Sequence, residues 1–275
     1  MKTTLKSLFC FIICAFLLAG CSFIPGGNEV KIDLSGINSA VDAIKPKDVT
    51  GEMNYEEIFP SDGIPARELE LKNISFTNTE EAKIIIIPSD ETKVEASYPM
   101  GMHEHNFRIS VREGEIEISA PKQTNFKAEK FEITVHANIE EIEISGGIAV
   151  EMDAANSRKI DVDVKGGAEI YIYNIAAERM EMDIAGAASV DLSGKTDILE
   201  MELNGAGTID AKSLICRKAN IEISGAGTAE ISVIEKLFAD IDGVGSLKYY
   251  GSPEVQNISG GLTDIEQASK DVYGG

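Results

Sequence analysis

From about residue 68 onward, apolar and polar residues alternate in short runs, and from about residue 138 each run ends at a glycine. Alternation with a period of two is typical of β-strands that bury one face. No run keeps a spacing of three or four residues over three turns, which is what a stable helix requires. The pattern therefore predicts an all-β protein.

The strand that ends in a glycine recurs seven times, and successive glycines are 20, 20, 19, 20, 18 and 17 residues apart. A repeat of about 20 residues is the signature of a solenoid, in which each turn covers the apolar face of the next. The sequence thus predicts a parallel β-helix of about seven turns. The glycines that mark its corners are Gly146, Gly166, Gly186, Gly205, Gly225, Gly243 and Gly260.

Aligning the copies on these glycines produces columns of similar residues. The residues two and four positions before the glycine are apolar in the first six copies, so we expect both to point inward. The seventh copy has Gln256 four positions before its glycine and Asp264 four positions after it, as would suit a terminal turn. Glycine itself suits a corner, where a positive φ or the lack of a Cβ is needed.

The residues three positions before the glycine are acidic in six of the seven copies and should point outward. One interpretation is a solvated face, with the acids offset by basic residues seven positions before the glycine, that discourages edge aggregation. The other is an acidic ladder that binds divalent cations or glycans, with Asp183, Glu202 and Glu222 as candidate ligands.

A second candidate metal site is the stretch 100–105, where His103 and His105 lie beside two methionines. Such residues can bind copper or zinc, although a polar loop is the simpler interpretation. Gly205-Ala206-Gly207 lacks the third glycine and the lysine of a phosphate-binding loop, so no nucleotide is expected. We expect no cofactor.

The chain carries 25 Lys and Arg against 46 Asp and Glu, a formal net charge of −21, which argues against nucleic-acid binding. The acids are spread evenly over the repeats rather than concentrated in one groove. Even spacing is atypical of polysaccharide-cleaving enzymes, which need a compact pair of carboxylates. We therefore predict that the protein is not an enzyme.

The N-terminus has the features of an export signal. Lys2 and Lys6 precede the apolar stretch Leu8–Ala19, which is too short to span a membrane. The sequence Leu18-Ala19-Gly20-Cys21 resembles the lipobox of bacterial lipoproteins, and this resemblance implies cleavage before Cys21 and acylation of that residue. Multiple acyl chains would hold the protein at a membrane.

These observations predict a sequence of segments along the chain. They are a lipoprotein signal peptide (1–20), a lipidated cysteine and tether (21–67), a less regular β region (68–137), the glycine-anchored repeats (138–267) and a short tail (268–275).

The segment Gly243-Val-Gly-Ser-Leu-Lys-Tyr-Tyr-Gly-Ser-Pro253, together with the repeats and the lipobox, resembles the head GIN domain family of putative auto-transporter adhesins. That resemblance implies a right-handed β-solenoid exposed on the cell envelope, and it implies no catalytic residues. The resulting hypothesis is a lipid-anchored envelope lipoprotein that acts as an adhesin or interaction scaffold, whose partner is a surface glycan or protein. The alternatives are a cation- or glycan-binding module that uses the acidic ladder, and a divergent polysaccharide-acting enzyme.

Overall fold

A computed structural model describes residues 47–49, 52–76, 82–122, 124–127 and 130–268. Regular structure in this part is β-strand apart from one 3₁₀ helix, Met100–His105, so the all-β prediction is confirmed. None of the helical structure described has the length and apolar character needed to cross a membrane. The strands are β1 (Lys47–Asp48), β2 (Met53–Ile58), β3 (Glu68–Ser75), β4 (Ala82–Ile87), β5 (Lys93–Pro99), β6 (Arg108–Arg112), β7 (Glu115–Ser119), β8 (Phe126–Lys127), β9 (Phe131–His136), β10 (Glu141–Asp153), β11 (Lys159–Tyr250) and β12 (Glu254–Gln267).

Strands β10 and β11 pair in parallel with a constant step of 20 residues, from Glu141 opposite Asp161 to Asp153 opposite Tyr173. β11 is 92 residues long. A straight strand of that length would extend about 300 Å at 3.3 Å per residue. Instead, the glycines of β11 that lie 18 to 20 residues apart contact one another, so successive segments of this strand lie side by side. We call each such segment a layer.

The glycines set how these layers meet. Gly146, Gly166, Gly186, Gly205, Gly225 and Gly243 have φ between 140° and 159°. A Cβ on Gly205 would lie only 2.0 Å from the carbonyl oxygen of Gly186 in the preceding layer. Since real Cβ atoms do not approach backbone that closely, only glycine fits these positions without displacing a neighbouring layer.

The residues two and four positions before these glycines form two inward rows, and each residue is at most 3% exposed. The first row is Ile144, Val164, Ile184, Leu203, Ile223 and Ile241, and the second is Ile142, Val162, Met182, Met201, Ile221 and Ala239. The inward placement predicted from the alternation is confirmed for these residues. Their burial provides the main hydrophobic stabilisation of the region.

The N-terminal part also forms layers, but not in the order of the sequence. The first half of β10 pairs in parallel with β3, and its second half pairs with β4. On their other side, β3 and β4 pair in parallel with β7 and β9. The layer made by β3 and β4 therefore has β10 on one side and the layer made by β7 and β9 on the other. Both neighbours follow it in the sequence.

Antiparallel strands complete this end of the molecule. β6 pairs with β7 as a hairpin, while β5 pairs with β9 and β2 pairs with β5. The interior here is aromatic. Phe76, Phe107, Phe126 and Phe131 are at most 2% exposed, and the Phe76 and Phe131 ring centroids lie 4.6 Å apart.

The other end departs from the predicted register. β12 pairs in parallel with β11, but a register shift between Phe238 and Ala239 places Ile258 opposite Ala239 and Gly260 opposite Ile241. A second shift follows between Ile241 and Val244. Gly260 thus does not continue the glycine column, because it lies opposite a residue two positions before Gly243. The predicted signal peptide, Cys21, most of the predicted tether and residues 269–275 lie outside the described residues.

Candidate functional site

The outward acidic residues form two rows on one face of the layered sheet. Glu117, Glu70, Glu143 and Asp163 pair directly across four neighbouring layers. The register of the glycine column continues this first row, and a second row lies two residues earlier along each strand. The first row is Glu117, Glu70, Glu143, Asp163, Asp183, Glu202, Glu222 and Asp240; the second is Glu115, Glu68, Glu141, Asp161, Glu181 and Glu200.

The structure places the candidate ligands Asp183, Glu202 and Glu222 in the first row, with exposed side chains. Glu202 and Glu222 each accept a hydrogen bond from an asparagine amide two residues away, Asn204 and Asn220. Partial burial raises the pKa of Asp183, and the neighbouring carboxylates of Glu202 and Glu181 raise it further. Like charges one layer apart therefore repel each other here.

Basic side chains interrupt the rows at particular layers. The ammonium of Lys165 lies 2.5 Å from a carboxylate oxygen of Asp163, and that of Lys159 lies 2.9 Å from Asp161. The Arg179 guanidinium pairs with Glu200 in the next layer. The acids are thus partly offset by cations, as the solvated-face interpretation predicted.

At the N-terminal end, the rows bring together three carboxylates that the sequence analysis did not connect. Oxygens of Glu70, Glu115 and Glu117 lie within 4.8 Å of one another. Lys72 forms ion pairs with two members of this group. Its ammonium nitrogen lies 2.5 Å from a carboxylate oxygen of Glu70 and 2.8 Å from one of Glu117. Hydrogen bonding to Lys72 lowers the pKa of Glu117, whereas burial and a hydrogen bond with Glu70 raise that of Glu115.

The sequence does not connect this group because Glu70 and Glu115 are 45 residues apart and their layers stack out of order. The period-two acids Glu68, Glu70, Glu115 and Glu117 were visible in the sequence. No glycine follows β3 at the expected place, however. Asn73 instead takes the left-handed conformation with φ 58°, which asparagine tolerates better than most residues.

The two candidate histidines lie away from the acidic rows, on the 3₁₀ helix at the N-terminal end. His103 Nε2 is 3.0 Å from the hydroxyl of the buried Tyr98, which also bonds to Glu56. Burial, followed by the hydrogen bond to Glu56, raises the pKa of Tyr98, so this hydroxyl stays protonated. His105 lies near the Phe126 ring. The structure therefore does not bring these histidines together with Asp183, Glu202 and Glu222.

Cys216 is fully buried, and its thiol lies 3.0 Å from the Ser232 carbonyl oxygen, to which it donates. Burial raises its pKa to about 12. A thiol of this kind is neither a nucleophile nor a metal ligand at neutral pH.

Comparison with known proteins identifies the family to which this architecture belongs. A family model described as putative auto-transporter adhesin, head GIN domain, matches residues 65–253, which is more than half of the chain. The chain belongs to this family. The resemblance found in the sequence is thereby confirmed. No curated protein sequence matches the chain.

Several solved structures share the fold. A putative adhesin from Bacteroides fragilis has a TM-score of 0.63 and 18% identity, covering 80% of this chain and 98% of its own. A putative adhesin from Parabacteroides distasonis has a TM-score of 0.57 and 19% identity, with 80% and 99% coverage. A putative lipid binding protein from the same organism has a TM-score of 0.57 and 17% identity, with 81% and 100% coverage.

Proposed function

We propose that this head GIN domain protein is a lipid-anchored lipoprotein of the cell envelope that acts as a non-catalytic adhesin or interaction scaffold. Its layers would form a right-handed parallel β-helix of about seven turns, tethered through Cys21. The observation that carries the proposal is the regular layering between Glu141 and Tyr250, where successive layers present nearly equivalent outward residues. Extended repetitive surfaces of this kind suit binding, since each layer adds another copy of the same face.

The absence of catalysis is part of the proposal. Between Glu141 and Tyr250 the outward carboxylates recur layer after layer, so no layer there differs from its neighbours as an active site would. The compact group Glu70, Glu115 and Glu117 at the N-terminal end is bridged by the ammonium of Lys72, which pairs with Glu70 and Glu117. The Tyr98 hydroxyl contacts Glu56 and His103, and its raised pKa keeps it protonated at neutral pH, so it is not available as a base there. A glycan array combined with analysis of the eluted sugars tests this point. Retained but unmodified glycans are expected, and shortened products would contradict it.

Anchoring is tested by growing cells that produce the full chain with radiolabelled palmitate. The label should enter the protein, and Cys21→Ser should abolish both labelling and membrane fractionation. Cys216→Ser is the matched control, because that thiol is buried and should leave labelling unchanged. Labelling that persists in Cys21→Ser would refute the proposed anchor.

The helical winding is tested by deleting one complete layer. Removing residues 206–225 joins Gly205 directly to Ala226 and preserves the alternation of inward and outward residues in the layers that remain. A β-helix should accept this loss and still unfold cooperatively. Removing residues 206–215 is the control, because half a layer leaves the next rows out of register. If the complete-layer deletion also fails to fold, the winding proposed here is wrong.

Adhesion is tested by comparing the binding of cells with and without the full chain to immobilised glycans and to other cells. Cells that produce the protein should bind more.

The alternative that the acidic rows bind cations is favoured by the raised pKa of Asp183. Calorimetric titration with Ca²⁺ tests it, and the triple variant Asp183→Asn, Glu202→Gln, Glu222→Gln should abolish any heat that comes from these rows.

A further inference from the structure

A second outward face carries two tyrosines among carboxylates. Tyr171 and Tyr173 lie two residues apart on the first layer of β11, so both side chains point to the same side, about 6.6 Å apart along the strand. In the adjacent strand β10, Glu151 lies opposite Tyr171 and Asp153 lies opposite Tyr173. Tyr171 is 44% exposed, so its ring is accessible to a ligand.

The surroundings of these rings are strongly negative. Burial raises the pKa of Tyr171, and the carboxylates of Glu169 and Asp191 raise it further. Burial likewise raises the pKa of Tyr173, with Glu151 and Asp153 contributing. Among the described residues, no lysine or arginine forms an ion pair with Glu151 or Asp191. An aromatic face surrounded by carboxylates attracts a cation through both the ring and the charges.

On the same face, at the C-terminal end of β11, a lysine ammonium lies over a tyrosine ring. Tyr250 lies seven residues after its glycine, as Tyr173 does, and Lys248 occupies the place that corresponds to Tyr171. The Lys248 ammonium is 5.5 Å from the centre of the Tyr250 ring. The Tyr250 hydroxyl donates to Glu230, 2.7 Å away in the preceding layer.

Interaction with Tyr250 and then Glu230 raises the pKa of Lys248, so this tyrosine and this carboxylate stabilise an ammonium. The protein thus contains, on this second face, an internal example of a lysine held by a tyrosine ring and a glutamate. At Tyr171 and Tyr173 the rings and carboxylates are present, but the chain supplies no lysine of its own at the corresponding place.

We propose that Tyr171 and Tyr173, together with Glu151 and Asp191, form a binding site for a lysine side chain presented by a basic segment of a partner protein. The ammonium lies over the tyrosine rings between the carboxylates of the two flanking layers. The inference rests on the proposed role of the outer faces as binding surfaces, and it names the chemistry of the partner.

The test is an NMR titration of the full chain, with ¹³C-labelled tyrosine rings, using Nα-acetyl-lysine amide at constant ionic strength. The ring signals of Tyr171 and Tyr173 should shift and saturate in the millimolar range, while those of the exposed Tyr55 stay unchanged. Nα-acetyl-norleucine amide, which lacks the charge, should produce no shift. Absence of a lysine-dependent shift at Tyr171 and Tyr173 would overturn the proposal.

Variants separate this site from diffuse attraction by an acidic protein. Because a cation–π contact contributes about 0.5–1 kcal/mol at exposed sites, Tyr171→Leu should weaken binding about two- to fivefold, as measured at Tyr173. Tyr55→Leu is the matched control and should leave the affinity unchanged. Lys248→Met should open a second site, seen as a new saturable shift of Tyr250.

Two other outcomes count against the proposal. Equal affinity in Tyr171→Leu and the wild type would mean that general electrostatics, rather than the rings, attracts the probe. Shifts of the same rings with methyl glucoside but not with the lysine probe would assign the face to glycans. These titrations depend on neither lipid attachment nor cell adhesion, so their failure rejects the lysine site and leaves the proposed function standing.

Discussion

The two ends of the layered sheet are built by different means. Between Glu141 and Tyr250 the layers follow one another in sequence, bury aliphatic rows and meet at glycines. Between Met53 and His136 the layers stack out of order, antiparallel strands flank them, and phenylalanine rings fill the interior. Asn73 takes a left-handed conformation near the place where glycine stands in the later layers.

This difference shows what repetition can and cannot do. A repeated layer needs only small, regular side chains, because each layer is covered by a copy of itself. The first layers have no copy on one side, and they need large side chains and a strand order that closes the edge. We therefore expect the N-terminal end to depend on a few large contacts, and the repeats to depend on exact backbone spacing.

The largest effect is expected at the aromatic interior. Phe131 is fully buried between Phe76 and Phe107, so Phe131→Ala should reduce the free energy of unfolding by about 3–5 kcal/mol. Chemical denaturation of the full chain measures this loss. Phe59→Ala is the control, since that ring is 58% exposed and its removal should cost less than about 0.5 kcal/mol.

Hydrogen exchange of Phe131→Ala sharpens the comparison. Amides of β4, β5 and β9 should lose protection first, while those around Gly205 keep theirs, because local openings follow contiguous packing units. Equal loss of protection throughout the sheet would show that the two ends open as one unit rather than as separate packing units.

The next effect is expected in the glycine column. Gly205→Ala places a Cβ 2.0 Å from the Gly186 carbonyl oxygen, so the layers must separate, at a cost of about 3 kcal/mol. In the matched control Gly167→Ala, the new Cβ meets nothing closer than 3.9 Å, and a change below about 0.5 kcal/mol is expected. Thermal unfolding of both variants measures the difference, and similar melting temperatures would refute the role assigned to the column.

The repeats were predictable because their information is local. Each copy carries its own alternation and its own glycine, so aligning Gly146 through Gly243 was enough to place the inward residues correctly. The alignment placed Gly260 of the seventh copy wrongly, because a bulge between Phe238 and Ala239 puts this glycine opposite Ile241. A bulge depends on the packing of both strands and leaves no mark in a single repeat.

The N-terminal layers were not predictable, because their order depends on contacts between distant segments. The alternation in β3 and β7 predicted strands, but nothing in either segment specifies that β3 lies between β7 and β10. The cluster of Glu70, Glu115 and Glu117 was hidden for the same reason. Likewise, Tyr171 and Lys248 became comparable only after their shared position in the layers was known.

A smaller effect is expected from cations that bridge neighbouring layers. Lys72 pairs with Glu70 and Glu117 beside a third carboxylate, Glu115, whereas Arg217 joins Asp197 and Glu235 in the repeats. Lys72→Ala should cost about 1 kcal/mol because it leaves three carboxylates together, and Arg217→Ala should cost less than about 0.5 kcal/mol. Denaturation at low and high salt measures both, and a larger cost for Arg217→Ala would contradict this ranking.

The smallest effect is a gain in stability. Because the pKa of Asp183 is raised in the folded protein, its charged form disfavours folding, and this penalty is largest at neutral pH, above the folded pKa. Asp183→Asn should therefore stabilise the protein at pH 7 by less than about 0.5 kcal/mol, since the side chain is exposed. The advantage should disappear as the pH falls through the folded pKa, where the wild-type carboxyl becomes neutral.

Asp163→Asn is the matched control, because Lys165 compensates that carboxylate at 2.5 Å and its neutralisation should give no gain. Chemical denaturation from pH 4 to pH 8 distinguishes the two variants, and a gain for Asp163→Asn as large as that for Asp183→Asn would mean that the cations do not offset the acidic rows layer by layer.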